Sequence, residues 1–207
     1  MADVTVKVLT PATSTALITL DELKLAYGID PADTTHDAQL QMLIDQYSDV
    51  VATMCNRTFA KETVEETWRG DPPPYENTRV YLTHYPVADG DVTSVGGSGG
   101  TLIDSANYEI ENESGKLTLI GTTADPIIVT YSGGYDLPDA APPALKAAIQ
   151  LLVQQARTQL LRGFNPNLRM VQHGDTRVMY YDPSATKMSI GGDAVANLLS
   201  AYIRYPV

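Results

Sequence analysis

Apolar positions along this chain change their period twice, from helical to alternating and back. Leu40, Leu43, Ile44, Tyr47, Val50, Val51 and Met54 recur at spacings of three and four, which predicts a helix from about Leu40 to Met54. Upstream, Thr19-Leu20-Asp21-Glu22 is a capping-box pattern, in which the threonine hydroxyl accepts from the third helical amide while the glutamate reaches back. It predicts a first helix over Leu20–Tyr27, stopped by Gly28. Residues 1–16 show no sustained period and are interrupted by Pro11, so they read as an extended or mobile arm.

From Glu62 to Tyr131 the period becomes two. Val80, Leu82 and His84 alternate with Tyr81 and Thr83, Tyr108 and Ile110 with Glu109 and Glu111, and Leu117 and Leu119 with Thr118 and Ile120. Turn residues at Asp71-Pro72-Pro73-Pro74, Ala88-Asp89-Gly90-Asp91, Gly96 to Gly100 and Ser114-Gly115 separate these runs. About six strands in antiparallel hairpins are expected. The run Ile127 to Tyr131 closes the series, followed by a turn at Gly133-Gly134-Tyr135. Pro138, Pro142 and Pro143 then lead into a third helix with the stripe Leu145, Ala148, Ile149, Leu152, Val153, Ala156 and Leu160, closed by Arg162 and Gly163. Beyond it, Asn165-Pro166-Asn167 is a turn, Thr176 to Tyr181 a strand, and Asp193 the cap of a short last helix whose Val195, Leu198, Leu199 and Tyr202 share a face.

The fold class expected from this order is α+β: a small α-helical bundle with a β-rich antiparallel insertion and a C-terminal docking segment. One domain of 207 residues is expected. It divides into an N-terminal arm (1–16), helices (17–61), a β-rich insertion (62–135), a long helix (136–163) and a C-terminal extension with a short helix (164–207). At 43% hydrophobic content the chain can bury roughly 70% of its unfolded surface. No apolar run is long enough to span a membrane and no secretory leader is evident, so a soluble intracellular protein without membrane partners is expected. The single cysteine, Cys55, has no intramolecular disulfide partner and fits a reducing compartment. On that reading the sequons at Asn56 and Asn112 are chance matches. Twenty-five acidic against 14 basic side chains give a net charge of −11, which disfavours a phosphate-gripping surface.

Candidate chemistry is sparse. Gly96-x-Ser98-x-Gly100 matches the nucleophile-elbow pattern, with acidic residues and His173 in hydrolase order. That chemistry needs a strained turn from strand directly into helix, whereas Thr101 to Glu111 reads as continued strand, so a hairpin loop is the better reading. The patch also lacks the Lys-Ser/Thr of a phosphate-binding loop. His36, His84 and His173 are widely separated and have no metal-ligand spacing; His36 reads as solvated and His84 as a strand residue beside Pro86. Cys55 reads as a small buried residue. Glu62, Glu65 and Glu66, like Glu109, Glu111 and Glu113, read as solvated outer faces of strands. No catalytic, cofactor or metal residue is assigned. The alternatives kept open are a small serine hydrolase using Ser98 and a generic capsid or tail accessory module.

A series of short matches resembles the head-tail connector (adaptor) proteins of long-tailed bacteriophages and gene transfer agents. They are Ile18 to Lys24, Leu43-Ile44-Asp45, Cys55-Asn56-Arg57-Thr58-Phe59, Tyr85-Pro86-Val87 before Val92 to Val95, Tyr108-Glu109-Ile110, Leu117-Thr118-Leu119, Val129 to Tyr135, and Leu198 to Tyr202. Each is turn and packing chemistry; their order and spacing, from Leu17 to Arg204, carry the resemblance. The Gly-rich loop at 96–100 and the long N-terminal arm depart from it. The resemblance implies a non-enzymatic ring subunit of the virion neck, about twelve copies to a ring, seated between portal protein and a stopper or tail-completion protein, assembled in the host cytoplasm. DNA would pass through the lumen without specific binding. Tyr180-Tyr181 and the terminal segment have a composition that suits core packing and docking equally. With the resemblance, Val195, Leu198, Leu199, Tyr202, Ile203 and Arg204 become the expected portal-docking residues.

Overall fold

The computed structural model describes residues 3–70, 78–88, 90–121, 124–161, 170–173, 176–179 and 192–205. The fold is α+β, and the chain forms two compact units: one takes residues 1–16, 52–141 and 204–207, the other 17–51 and 142–203.

The first unit contains seven described strands: β1 (Asp3–Thr10), β2 (Glu62–Arg69), β3 (Arg79–Tyr81), β4 (Val92–Gly96), β5 (Tyr108–Glu111), β6 (Lys116–Leu119) and β7 (Ile127–Gly133). They form one antiparallel sheet ordered β1-β2-β7-β4 and another ordered β3-β6-β5. Alternation decides which side chains go inside. Val64, Ile127, Val129, Tyr131 and Val95 from the first sheet and Val80, Leu117 and Leu119 from the second join Leu82 and Val87 in one buried cluster.

Several expectations change here. The N-terminal arm is an ordered strand, paired with β2 from Asp3↔Arg69 to Thr10↔Thr63. Its period-two run Val4-Thr5-Val6-Lys7-Val8 was the signal. The six strands between Glu62 and Gly133 are antiparallel, but only β5 and β6 are chain neighbours that pair as a hairpin. Turn residues locate reversals without naming partners, and β2 pairs with β1 and β7 across long stretches of chain. The strand expected over 80–85 ends at Tyr81, and His84 lies outside it. Thr101 to Glu111 is not one strand: a 3-10 turn at Ser105–Asn107, capped by Asp104, precedes β5.

The second unit holds α1 (Leu20–Ala26), most of α2 (Asp37–Cys55), α3 (Pro143–Leu161), α4 (Gly192–Leu199) and a two-stranded ribbon of β8 (Met170–His173) and β9 (Thr176–Met179). The capping box forms: Thr19 Oγ1 accepts from the Glu22 amide at 3.1 Å, and Glu22 Oε2 accepts from the Thr19 amide at 3.1 Å. Gly28, at φ +65°, ends α1 in a left-handed turn, its amide donating to Leu25 O (3.1 Å) and the Ile29 amide to Lys24 O (2.9 Å). Leu40, Leu43, Ile44 and Val51 of α2 and Leu145, Ala148, Ile149, Leu152, Val153 and Ala156 of α3 are buried as their spacing requires. Leu160, Arg162, Gly163 and Tyr180-Tyr181 fall outside what is described of side chains or backbone.

Polar contacts fix the helices against one another. Lys24 is almost wholly buried, 2.5 Å from the Asp37 carboxylate and 3.1 Å from Pro31 O. Lys146 bridges to Glu22 at 2.6 Å, Tyr27 Oη donates to Gln150 O at 2.6 Å, and Ser48 Oγ accepts from the Leu17 amide at 3.1 Å. A buried ammonium costs stability unless it is paired, and here a carboxylate and a carbonyl do so.

Glycine is required where β7 ends. A Cβ at Gly133 would run into the backbone carbonyl of His84, and one at Gly134 (φ +113°) into that of Ala60. Gly28 has the same backbone need with open space around it. Gly133→Ala should therefore cost about 3 kcal/mol and Gly28→Ala about 1 kcal/mol. Urea unfolding of the two variants checks the order; equal costs would mean that β7 does not depend on that close approach.

Candidate functional site

The densest polar cluster in the first unit is built on the inner face of β2. Glu62, Val64, Glu66 and Trp68 share that face by strand alternation, and Glu66 is completely buried. Its carboxylate accepts from four donors: the Thr83 amide (2.8 Å), the Thr83 hydroxyl, the Tyr131 hydroxyl and Trp68 Nε1 (3.1 Å). Burial raises the Glu66 pKa, but the His84 ring 3.8 Å away and the bonds from Thr83 and Tyr131 outweigh it, holding the group below the usual carboxylate value. Burial and the adjacent Glu66 carboxylate push the Tyr131 hydroxyl far up, so it stays a donor. Since the one Thr83 hydroxyl hydrogen goes to Glu66, its oxygen accepts from His84 Nδ1, 2.8 Å away. His84 Nε2 lies 3.2 Å from Glu62, whose other oxygen accepts from the Ala12 amide at 3.2 Å. The His84 amide closes the circuit by donating to Tyr131 Oη at 3.0 Å.

This corrects two readings: Glu66 is no solvated outer-face carboxylate, and His84 is a buried loop residue. Glu62 is half-buried, while Glu109, Glu111 and Glu113 are exposed as expected. Sequence alone does not single out the cluster, because Glu62, Glu65 and Glu66 look alike as strand glutamates. The available signal was that Glu66 shares its face with Val64 and Trp68. The cluster resembles an acid-base array, yet Glu66 is sealed from solvent and its oxygens are held by donors within the unit. It fixes β2, β7 and the 83–84 segment together; it does not present a reactive group.

Among the described residues the other candidates do not assemble into catalytic machinery; His173 lies in β8, and its side chain falls outside what is described. Ser98 is exposed in a one-turn 3-10 segment (Ser98–Gly100) that leads to Leu102, bridged to Gly96, and not into a helix. Cys55 is buried, and burial pushes its thiol up to about 11, so it carries no thiolate at neutral pH. Arg57 is buried between Tyr85, 3.5 Å from the ring centre, and Phe59, 4.8 Å, and donates to Tyr85 O. His36 is exposed. Among the described residues no group of His, Cys, Asp and Glu is placed to hold a metal, and no helix is long and apolar enough to cross a membrane. An open hollow of about 210 Å³ beside Lys61, Tyr135, Asp136 and Asp139 is polar, and the Lys61 amine is paired with Asp91 at 3.0 Å.

The expected docking residues divide. In the second unit α4 packs on α3, and Val195 and Leu199 are buried, while Leu198, Tyr202 and Ile203 are half-buried. In the first unit Arg204 is tied down by its backbone and its side chain. Its amide donates to Cys55 O at 2.8 Å, its carbonyl accepts from Asn56 Nδ2 at 3.3 Å, and its guanidinium donates to Tyr81 O at 3.2 Å. Tyr205 beside it is 71% exposed.

No protein-family model matches the chain, and no curated protein matches it. Solved structures do. A chain in the neck of an empty GTA particle computed with C6 symmetry superposes with a TM-score of 0.58 at 13% identity, covering 98% of this chain and 97% of that one. A chain from the virion of a native gene transfer agent (GTA) particle gives 0.57 at 14% identity, covering 98% and 96%. One in the neck of a native GTA particle computed with C12 symmetry gives 0.55 at 13%, covering 98% and 97%. The chain therefore shares its fold over nearly its whole length with structural chains of GTA particles.

Replacing Glu66 with Gln puts an amide donor among donors and should cost about 1–3 kcal/mol at neutral pH. Because the folded carboxyl sits below 4.5, its contribution is complete above that pH and is lost as pH falls through the depressed value. The gap between wild type and Glu66→Gln should then be widest near pH 7 and narrow below about pH 4.5, which thermal unfolding against pH reads directly. A gap independent of pH would mean that the carboxylate charge is not what the donors hold. Ser98→Ala should leave thermal stability unchanged; a marked loss would mean that the 96–100 loop depends on that hydroxyl.

Proposed function

We propose that the chain is a subunit of the neck ring of a phage-like particle, a head-tail connector that joins portal to stopper or tail and surrounds the passing DNA. The carrying observation is the end-to-end fold match with chains of GTA particles, two of them from necks, which extends to 96–97% of those chains and leaves little of either unaccounted for. The C6 and C12 symmetries in which those necks were computed support a ring of repeated subunits. Charge is consistent with the conduit. At −11 per chain, twelve copies, the number taken from C12, would carry 12 × (−11) = −132 formal charges. Such a wall repels the duplex and lets it slide, with the field screened beyond about 10 Å. No described cluster favours the hydrolase reading.

The portal-docking element in this reading is the segment from Asp193 onward. Val195 and Leu199 seat its helix, and Leu198, Tyr202 and Ile203 supply the face offered to the portal. Twelve equivalent contacts on one ring would make even modest burial of Leu and Tyr effective through avidity.

The free subunit should size well below a ring and form rings only with portal present, because self-repulsion of acidic copies opposes closure until a partner adds contacts. Light scattering of the purified protein checks this, and a stable closed ring at low micromolar concentration would refute it. Leu198→Asp and Tyr202→Asp should fold normally and fail to sediment with portal-bearing heads. Leu199→Ala should instead lose about 2–5 kcal/mol of stability. Normal head binding by both aspartate variants would remove the docking assignment while leaving the neck reading to be judged by electron microscopy of assembled particles.

A further inference from the structure

The sheet edges of the first unit are not equally protected. The outer edge of β4 is covered by the returning chain, where Ile103 N donates to Val95 O at 2.8 Å and Leu102 bridges Gly96. At β3 the Tyr81 carbonyl is taken by Arg204. The β5 edge is four residues long and carries the exposed Glu109 and Glu111, a short charged edge of the kind that resists pairing. β1 has no covering chain among the described residues, and its exposed charges, Asp3 and Lys7, are of opposite sign. It is eight residues long, nothing among the described residues pairs with its outer edge, and Val6, Val8 and Leu9 are 38%, 46% and 45% exposed. The register shift after Val8 leaves Asp3–Val8 as its regular part.

We propose that β1 is a self-complementary edge, to which β1 of a second copy of this chain adds antiparallel about a two-fold axis through Thr5. Charge selects both the occupant and the register. With Thr5 opposite Thr5 of the second copy, Asp3 faces Lys7 of that copy and Lys7 faces its Asp3, while Val4 and Val6 meet on the other side of the sheet. Within one subunit Asp3 already lies opposite Arg69, and Lys7 opposite Glu65. Each charged row across the joined sheets then alternates in sign: Arg69, Asp3, then Lys7 and Glu65 of the second copy. Shifting the register by two residues either way removes both ion pairs, and a parallel in-register pairing sets like charges together. The contact is small, well under the roughly 1,200 Å² of stable complexes, and each copy carries −11, so the pair is weak and reversible. A two-fold contact closes at two copies and cannot propagate into a ring. It is therefore a property of free subunits, independent of the neck reading, and it shields the open edge from indiscriminate strand addition.

Sedimentation equilibrium of the full chain should show a monomer–dimer equilibrium at micromolar to roughly millimolar concentration. Asp3→Lys or Lys7→Asp alone should weaken it about tenfold or more, and the double exchange, made together with Arg69→Glu and Glu65→Lys so that both intrachain pairs keep opposite charge, should restore it. Because Lys7→Asp also faces Glu65, Lys7→Asp with Glu65→Lys keeps the intrachain pairing and must still lose the dimer. Thr5→Cys should cross-link under mild oxidation and Lys7→Cys should not; Cys55 is buried and does not compete. A strictly monomeric protein, a dimer insensitive to the single exchanges, or a double exchange that fails to restore pairing would overturn the proposal. Because the neck reading is tested on portal-bearing heads, these outcomes leave it untouched.

Discussion

The β-rich unit depends on one buried negative charge. Glu66 sits at the centre of β2, the strand flanked by both β1 and β7, and its carboxylate holds Thr83, Tyr131 and Trp68 through bonds that water cannot replace there. Burying a carboxylate is costly, so the four donors must arrive together. That requirement joins elements far apart in sequence: Trp68 is two residues away, Thr83 is 17 and Tyr131 is 65. It also explains why the chain after β3 leaves the strand. To aim the Thr83 amide and hydroxyl at Glu66 and the His84 amide at Tyr131, the segment must depart from ladder geometry after Leu82, whose amide still donates to Gly115 O. Gly133 then accepts the His84 carbonyl at a distance no Cβ permits.

How much of this was readable follows from the range of the interactions. The Thr19–Glu22 capping box, the left-handed stop at Gly28 and the stripes of α2 and α3 are set within one or two helical turns, and all appear as their residues require. The strands between Glu62 and Gly133 were legible as a set, because alternation is local. Their partners were not, because pairing β2 with β1 and β7 depends on matching faces across the chain. The same limit hid the polar cluster: nothing near Glu66 in sequence announces Thr83 or Tyr131. Ser98 could be discounted early only because its chemistry has a local requirement, a following helix.

The fold match to chains of GTA particles holds at 13–14% identity. Short matches such as Cys55-Asn56-Arg57-Thr58-Phe59 and Val129 to Tyr135 are places where backbones approach closely. Arg57 stacks on Tyr85 and Phe59, Gly134 lies against Ala60, and the Cys55 carbonyl receives the Arg204 amide. Those residues are constrained by packing and not by a reaction. A chain whose identifying residues are all of this kind is legible as a shape before it is legible as a chemistry.

Charge placement extends that argument to the proposed conduit. Of 14 basic side chains, Lys24 and Arg57 are buried, the first paired with Asp37 and the second held by aromatic rings and a carbonyl. Lys61, Lys146 and Lys7 sit opposite carboxylates of Asp91, Glu22 and Glu65. These five cations are thus drawn inward or matched, while Glu109, Glu111 and Glu113, and the cation Arg79, stand in solvent. For a wall that DNA must pass without stopping, this arrangement matters more than the net charge, since a few unmatched lysines on an acidic protein would still create points of adhesion.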